Sequence, residues 1–353
     1  MTISRRASLP LLAIVLLASG CGERSSAIPD DRPQQPVAVR RSVTLNPLIG
    51  PDDQLKNPRY LIIHADDAGL CSSVNRATIE ALEEGVVSSV SMMVPCPAFE
   101  EFAAYARKHP EYDYGIHLTL NAEFRSYRWG PVLPRKEVPG LIDPQGYLWA
   151  EEKQTAANAR ADEVERELSA QIDRALALKV PISHLDSHMG TLFTRPDLLE
   201  VYVNLGIKYK LPVLFVRTGD ALRLFPVFRG TDSSVQEIAE KLARHQLPVL
   251  DRLYMHYVPD TLPQKFAEYR NIVRGLQPGV SELIVHCGYA DSELYNITGS
   301  APMRDGDRRI LTDPRFRREL NENGIRILNW KQFREMTQSS QGDAPDNARP
   351  ARE

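Results

Sequence analysis

Short apolar runs alternate with amphipathic stretches over most of the 353-residue chain. The apolar runs are typical of strands, and the predicted strands cover residues 60–65, 89–94, 114–120, 182–185, 213–216, 249–254, 282–286 and 325–328. Amphipathic stretches between them predict helices at residues 74–84, 99–108 and 162–178. In the last of these, Val164, Leu168 and Ile172 recur every four residues on one helical face. About eight βα units favour a parallel (βα) barrel over an open sheet.

The beginning of the chain breaks this alternation. Residues 1–20 combine Arg5 and Arg6 with an apolar run and small residues before Cys21, which is the pattern of a bacterial export signal. The apolar run is too short to span a bilayer, and Leu-Ala-Ser-Gly-Cys resembles a lipoprotein signal. We therefore expect an exported protein anchored to a bacterial membrane, facing the periplasm or on the outer membrane, through a lipidated Cys21. An ordinary cleaved signal with a chance cysteine is the alternative.

Two polar segments flank the alternating region. Residues 21–58 are punctuated by prolines, and they predict a tether that would reach about 35 Å as a flexible coil. Residues 337–353 predict a disordered tail. Residues 59–336 are therefore expected to form one folded domain.

Composition and charge narrow the class of protein. Hydrophobic residues make up 42% of the chain and charged residues 25%, as in ordinary globular proteins. Without residues 1–20 the chain keeps 41 basic and 46 acidic residues, so its net charge is −5. Nucleic-acid binding, which needs a basic face, is not expected. Cys71, Cys96 and Cys287 are too few for a disulfide framework.

Ionisable residues follow the ends of the early predicted strands. The first strand runs into Asp66 and Asp67, and the third carries His117. Ligands collect at the carboxyl ends of parallel strands in both sheet forms. Because side chains alternate along a strand, one carboxylate is expected to bind a metal while its neighbour faces the substrate. Taken alone, the pair also fits a turn or a helix cap, and a lone strand histidine often belongs to the core.

The fourth predicted strand leads into a sharper pattern. His184, Asp186 and His188 stand at alternate positions on one face. Burying them without a metal or a hydrogen-bond network would be costly. One carboxylate and two imidazoles match a hydrolytic zinc site with a free position for water, and they also serve other divalent ions. A bound ion would acidify its water and polarise a carbonyl, so the sequence predicts a metal-dependent hydrolase.

Two further regions complete the expected site. His286 stands at the end of the seventh predicted strand, where an imidazole suits proton donation to a leaving amine, although a structural histidine fits equally well. Residues 121–149, which include Tyr127 and Trp129, predict a long loop over the site. Its aromatic rings either stack on a sugar or pack the loop onto the body of the protein.

Five ordered motifs resemble the YdjC-like family of chitooligosaccharide deacetylases over roughly residues 60–333. They are HADDAG, VNRATIEALEEGVVSSVSMMVPCPAF, GIHLTL, SHLDSHMG and VHCGYAD. The resemblance implies an α/β protein with a distorted TIM-like (βα) barrel that removes acetyl groups from N-acetylated sugars with magnesium or zinc. The chain departs from the family pattern at His64, where Asn is frequent, at Ala68 and at Cys287.

Carried over by motif, the resemblance implies roles for individual residues. Asp67, His117 and His188 would hold the metal. Asp66 would be the general base that deprotonates the water, and His286 would be the acid for the leaving amine.

The resemblance also implies supporting roles. His184 and Asp186 would orient the metal ligands. The candidate substrate-binding residues are Tyr127, Trp129, Arg217 and Tyr289.

Two other functions stay open at this point. One is a metal hydrolase that cleaves another ester or amide bond of a glycan. The other is a non-catalytic glycan-binding lipoprotein, which is disfavoured because binding alone does not need metal ligands and a base together. The residues leave the oligomeric state open.

Overall fold

The computed structural model describes residues 58–217 and 232–342, and its central element is the strand β1 (Arg59–Ala68). Nine of the ten residues of β1 are buried. A continuous buried run of this kind is typical of a parallel strand that is covered on both faces. The first predicted strand is therefore present, and it extends through both adjacent aspartates.

All pairings between the named strands are parallel. The other strands are β2 (Ser89–Met92), β3 (Tyr114–Leu118), β4 (Ile182–Ser187), β5 (Arg252–Met255), β6 (Gly279–Val285) and β7 (Ile325–Leu328). Their order is β4-β3-β2-β1-β6-β5. Residues 59–65 of β1 pair with β6, whereas β7 pairs with residues 59–62 and β2 with residues 64–68. Because a strand has only two edges, β7 and β2 share the edge of β1 opposite β6.

A short segment between β4 and β5 closes the sheet into a barrel. Leu185 of β4 forms a parallel bridge with Val213, and Val216 forms another with Leu250. The amide of Leu185 donates to the carbonyl of Pro212 at 2.8 Å. The (βα) barrel is confirmed, with the predicted strand at residues 213–216 reduced to isolated bridges, which is one source of its distortion.

Helices cover the outside of the barrel. They are α1 (Ser72–Glu83), α2 (Phe99–Lys108), α3 (Glu152–Asn158), α4 (Ala161–Ala177), α5 (Pro196–Tyr209), α6 (Asp232–Arg244), α7 (Leu262–Gly275), α8 (Ser292–Ile297), α9 (Ala301–Leu311), α10 (Pro314–Glu322) and α11 (Trp330–Gly342). Short 3-10 helices occupy Arg135–Glu137, Pro139–Leu141 and His188–Phe193. In α4, Val164, Leu168 and Ile172 are fully buried, as their spacing predicts.

The two predicted ends of the domain compare differently with the structure. Residues 1–57, with the predicted export signal, Cys21 and nearly all of the predicted tether, lie outside the described residues. At the other end α11 continues to Gly342, into the segment whose composition indicated disorder. There Thr337 is buried, and its hydroxyl donates to the carbonyl of Phe333 at 3.0 Å. Among the helices of the described ranges, none is long and apolar enough to cross a membrane.

Candidate metal centre

The end of β1 brings two neighbouring carboxylates to one place. The pairing of β1 with β2 shifts between Ala65 and Ala68, and Asp67 adopts a left-handed backbone with φ 70°. Such a φ is strained for a residue other than glycine, and it persists where the surrounding structure fixes it. The expected alternation therefore fails. Asp66 Oδ2 lies 3.8 Å and Asp67 Oδ1 3.4 Å from the same atom, His117 Nε2.

Asp67, His117 and His188 form a buried cluster, which we call the metal cluster. Asp67 Oδ1 lies 3.4 Å from His117 Nε2 and 3.5 Å from His188 Nδ1. These separations are long for hydrogen bonds but close to the roughly 3.3 Å between two ligands of one tetrahedral zinc ion. Asp67 Oδ1 is buried and makes no hydrogen bond within the described ranges. The three expected ligands therefore converge, and their donor atoms fit a divalent cation.

In each imidazole of the metal cluster, the ring nitrogen that does not face Asp67 forms a hydrogen bond with another carboxylate. His117 Nδ1 lies 2.7 Å from Asp186 Oδ1, and His188 Nε2 lies 3.0 Å from Glu123 Oε2. Such partners fix the tautomer and the orientation of a ligand ring. Asp186 thus has the orienting position expected of it. Glu123 was missed, and the only available signal was an acidic residue six positions after His117.

An arginine balances the charge of the metal cluster. Arg304 of α9 is buried, and its Nη2 donates to Asp67 Oδ2 at 2.7 Å. Burial alone would raise the pKa of Asp67, but Arg304 and the two imidazoles hold that pKa well below its usual range. Asp67 is therefore ionised, with one oxygen committed to Arg304 and the other turned to the imidazoles. Nothing in the sequence distinguished Arg304 from the other arginines of its helix.

The neighbouring carboxylates change the pKa values of the two imidazoles. Burial opposes protonation of His117, but Asp186 and Asp66 raise its pKa well above the usual value. Burial is likewise outweighed at His188, where Glu123 and Asp67 raise the pKa to about 9. A cation that binds here must therefore displace protons from these rings.

Asp66 and His286 face each other beside the metal cluster. His286 Nε2 lies 3.8 Å from Asp66 Oδ2, and the His286 ring packs 4.5 Å from the ring of Tyr257. The backbone amide of His286 donates to Asp307 Oδ2 at 2.9 Å, which fixes the end of β6. Burial lowers the pKa of His286 in spite of Asp67 and Asp66 nearby. The imidazole is therefore neutral at neutral pH and able to accept a proton.

His184 lies deeper in the barrel than its expected role requires. Its Nδ1 is 2.8 Å from Ser183 Oγ, and its ring stacks on Trp330 with centroids 5.3 Å apart. His184, Asp186 and His188 do follow one face of the chain, but only the last two reach the carboxyl end of β4. His184 fills the barrel below the metal cluster and does not orient a ligand.

The aromatic rings of the long loop pack against the body of the protein. Trp129 is only 3% exposed, with its ring edge-on to Phe124 and Tyr127 and 6.5 Å from that of His188. The Tyr127 hydroxyl donates to the carbonyl of Leu70 at 2.9 Å. These contacts favour packing of the loop onto the body of the protein over stacking on a sugar. They also place the Trp129 ring beside the metal cluster.

The other two substrate-binding candidates lie away from the metal cluster. Arg217 Nε donates to Asp251 Oδ1 at 2.8 Å, and Asp251 Oδ2 accepts from the amide of Val280 at the amino end of β6. The Arg217 side chain is therefore near the amino end of β6, whereas His286 follows the carboxyl end of that strand. Tyr289 donates to Glu80 Oε2 at 2.5 Å and packs between α1 and α9.

Comparisons with known proteins point to one family. The family described as YdjC-like protein matches residues 60–322. The chain is 28% identical to a carbohydrate deacetylase of Geobacillus stearothermophilus, over 78% of this chain and 98% of the relative. It is 33% identical to a carbohydrate deacetylase of Thermus thermophilus, over 78% and 94%. A solved structure from Enterococcus faecalis V583, provisionally described as a cellobiose-phosphate cleavage protein, matches with TM-score 0.64 and 27% identity, over 78% and 98%.

Proposed function

Because the chain belongs to the YdjC-like family, we propose that it is a metal-dependent carbohydrate deacetylase. The substrate would be an N-acetylated amino sugar or oligosaccharide, and the bond cleaved would be the acetyl amide. Relatives named as carbohydrate deacetylases, which the chain matches over nearly their whole length, support the substrate class. The observation that carries the proposal is the convergence of Asp67 Oδ1, His117 Nε2 and His188 Nδ1 beside a second carboxylate, Asp66.

The metal cluster would hold magnesium or zinc. A divalent ion bound there would supply Lewis acidity, which lowers the pKa of a water and polarises the acetyl carbonyl. Asp67 would contribute its unpaired Oδ1, while Arg304 keeps the other oxygen from turning towards the imidazoles. The carboxylate partners of His117 and His188 would hold both rings with the correct nitrogen inward.

Asp66 would be the general base. It is 6% exposed, and within the described ranges its Oδ1 makes no hydrogen bond, which leaves Oδ2 facing His117 and His286. Its position beside the metal cluster would let it take a proton from the attacking water.

His286 would deliver a proton to the leaving amine. Because burial keeps its pKa low, the imidazole starts neutral and must first receive that proton. Asp66 Oδ2 lies 3.8 Å from His286 Nε2, so a small movement of either side chain would let Asp66 transfer the proton to His286. One proton would then travel from water through Asp66 and His286 to the amine, which leaves both residues as they began.

Acetate release tests this function. The purified chain would be incubated with a panel of N-acetylated oligosaccharides before and after chelation, and again after magnesium or zinc is added back. Acetate that disappears with chelation and returns with the metal is the expected result. Bound metal without acetate from any sugar would contradict the proposal and would point to another scissile bond.

We further propose that the protein is exported and anchored through Cys21. The support is the charged start, the short apolar run and the Leu-Ala-Ser-Gly-Cys sequence. Fatty-acid labelling of the wild type, absent in Cys21→Ser, is the expected result. Equal labelling of both proteins would contradict lipidation at this residue.

A further inference from the structure

We infer that His64 is a positioning residue that ties the general base, Asp66, to Asp186, the carboxylate behind a metal ligand. The inference rests on the proposed function of the metal cluster. His64 is fully buried, so this departure from the family pattern lies beneath the site and not in the lining of a substrate pocket.

One ring nitrogen of His64 reaches both carboxylates. His64 Nε2 lies 2.8 Å from Asp186 Oδ2 and 3.2 Å from Asp66 Oδ1. The shorter contact is a hydrogen bond, and the other oxygen of Asp186 holds His117 Nδ1 at 2.7 Å. Asp66 Oδ1 makes no hydrogen bond to the part of the chain that the structure describes, and His64 Nε2 is its charge partner in close contact. The base and the ligand His117 are thus held to one imidazole.

The His64 ring is itself held in place by β2. Ser89 Oγ lies 3.0 Å from His64 Nδ1, and Ser91 Oγ lies 3.1 Å from Nε2. The register of β1 with β2 pairs His64 directly with Ser89, whose hydroxyl donates to Asp113 Oδ1 at 2.7 Å. A buried ring with partners at both nitrogens has one orientation, which is what a positioning residue requires.

A second metal site is the competing interpretation, because His64, His184 and Asp186 also bring ligand atoms within 4.8 Å of one another. The free nitrogen of His184 argues against it. A Cβ added to Gly115 would lie 2.3 Å from His184 Nε2, so this nitrogen faces the backbone of β3 at close range. The contacts of His64 are those of a hydrogen-bonded network, which favours positioning over ligation.

Removing the His64 ring should weaken metal binding and slow the reaction. In His64→Ala, Asp186 loses one of its two imidazoles and Asp66 loses its charge partner. We expect zinc affinity to fall by about 10–100-fold, as is usual for residues behind a metal ligand. Because the sugar would not contact His64, kcat should fall while KM stays within about twofold.

Two amide variants separate positioning from packing. The amide nitrogen of His64→Gln reaches about as far as Nε2 and can donate to Asp186. That of His64→Asn reaches only as far as Nδ1, on the Ser89 side. We expect His64→Gln to recover most of the zinc affinity and His64→Asn to recover little. The matched control is His109→Gln, because His109 is also paired with a carboxylate, Glu111 at 3.1 Å, but its side chain is 39% exposed.

The experiment is a competition titration of each purified chain with zinc and a chromophoric chelator. Metal content by mass spectrometry, thermal unfolding and acetate release accompany it. One zinc per wild-type chain, with affinity in the order wild type, Gln, Asn, is the expected result. An unchanged affinity in His64→Ala, equal loss in the Gln and Asn variants, or unfolding of all three variants would overturn the inference.

Two further outcomes are decisive. Two zinc ions per wild-type chain, one of them lost in His64→Ala, would make His64 a ligand and overturn its positioning role. If the expected affinity order appears but no protein releases acetate, the inferred link to the metal cluster holds while the proposed function fails.

Discussion

Two layers of histidines and carboxylates lie one above the other in this barrel, and they differ in the contacts that their aspartates make. The metal cluster is the upper layer, where Asp67 Oδ1 has no hydrogen bond from the described residues and lies 3.4–3.5 Å from two imidazole nitrogens. The lower layer consists of His64, His184, Asp186 and Glu282, all at most 1% exposed. In it, His64 and Asp186 are joined by a hydrogen bond of 2.8 Å.

The difference shows that residue type alone does not make a metal site. Both layers contain two histidines and an aspartate, but only the upper one presents an uncommitted carboxylate oxygen between two imidazoles. The upper layer also borders partly exposed side chains, since Glu123 is 22% and His286 13% exposed. The lower layer is sealed and serves as its foundation.

Removing the upper layer should have the largest effect. The double variant His117→Ala, His188→Ala loses two of three ligands, so we expect no bound metal and a fall in kcat/KM of at least about 10³-fold. The lower layer stays intact, and the far-ultraviolet circular dichroism should therefore be unchanged. Metal content and acetate release check the prediction. If the turnover of the double variant remained metal-dependent and within tenfold of the wild type, the metal could not be assigned to the upper layer.

Replacing a carboxylate that joins the two layers should have the second-largest effect. Asp186→Asn and Glu123→Gln keep the shape of each side chain but weaken its hold on an imidazole, so zinc affinity should fall by about 10–100-fold. Asp186→Asn should be the more harmful, because Asp186 holds both His117 and His64. Competition titration measures both affinities. A larger loss in Glu123→Gln would show that the lower layer contributes little.

Glu282 gives the lower layer a pH dependence of its own. It is fully buried without a hydrogen bond from the described residues, and burial raises its pKa to about 8 in spite of His64. The folded protein keeps the proton that an unfolded Glu releases above about pH 4.3, so rising pH favours unfolding until about pH 8. Relative to Glu282→Gln, wild-type stability should fall by at most about 1.4 kcal/mol per pH unit.

Urea unfolding at pH 5, 6.5 and 8 checks this dependence. The Glu282→Gln variant cannot titrate at this position and is the internal reference. Two stability curves that run parallel over the whole range would mean that Glu282 is ionised in the folded protein.

Arg217→Ala should have the smallest effect on catalysis. Arg217 pairs with Asp251 near the amino end of β6, whereas His286 follows the carboxyl end of that strand. We expect kcat/KM within about twofold of the wild type, and a stability loss of about 1–3 kcal/mol because Asp251 loses a charged partner. Steady-state kinetics and urea unfolding measure the two effects. A rise in KM of tenfold or more would restore Arg217 as a substrate-binding residue.

Local patterns in the sequence predicted much of the fold and of the candidate site. The apolar runs at residues 60–65 and 282–286 predicted two barrel strands. The structure pairs them as neighbours, and the polar residues after them lie together at the carboxyl ends. The spacing of Asp186 and His188 likewise predicted two members of one site. These features depend on the period of a strand, which the sequence displays directly.

The parts that could not be predicted depend on distant contacts. Arg304 reaches Asp67 across 237 positions, and nothing in its helix distinguishes a buried arginine from an exposed one. The left-handed backbone of Asp67 comes from a register shift, which overrides the alternation of a regular strand. The depth of His184 depends on Trp330, which stacks on it although it stands 146 positions later in the sequence.

The point at which the chain enters the barrel has a practical consequence. The carbonyl of Pro58 accepts from the amide of Gly279, so the main chain arrives at the amino ends of β1 and β6, opposite to His286. A bead, a carrier protein or an electrode coating joined ahead of Pro58 would be attached on the side away from the reaction. Oriented immobilisation by this end should therefore preserve turnover on bulky, surface-bound polymers.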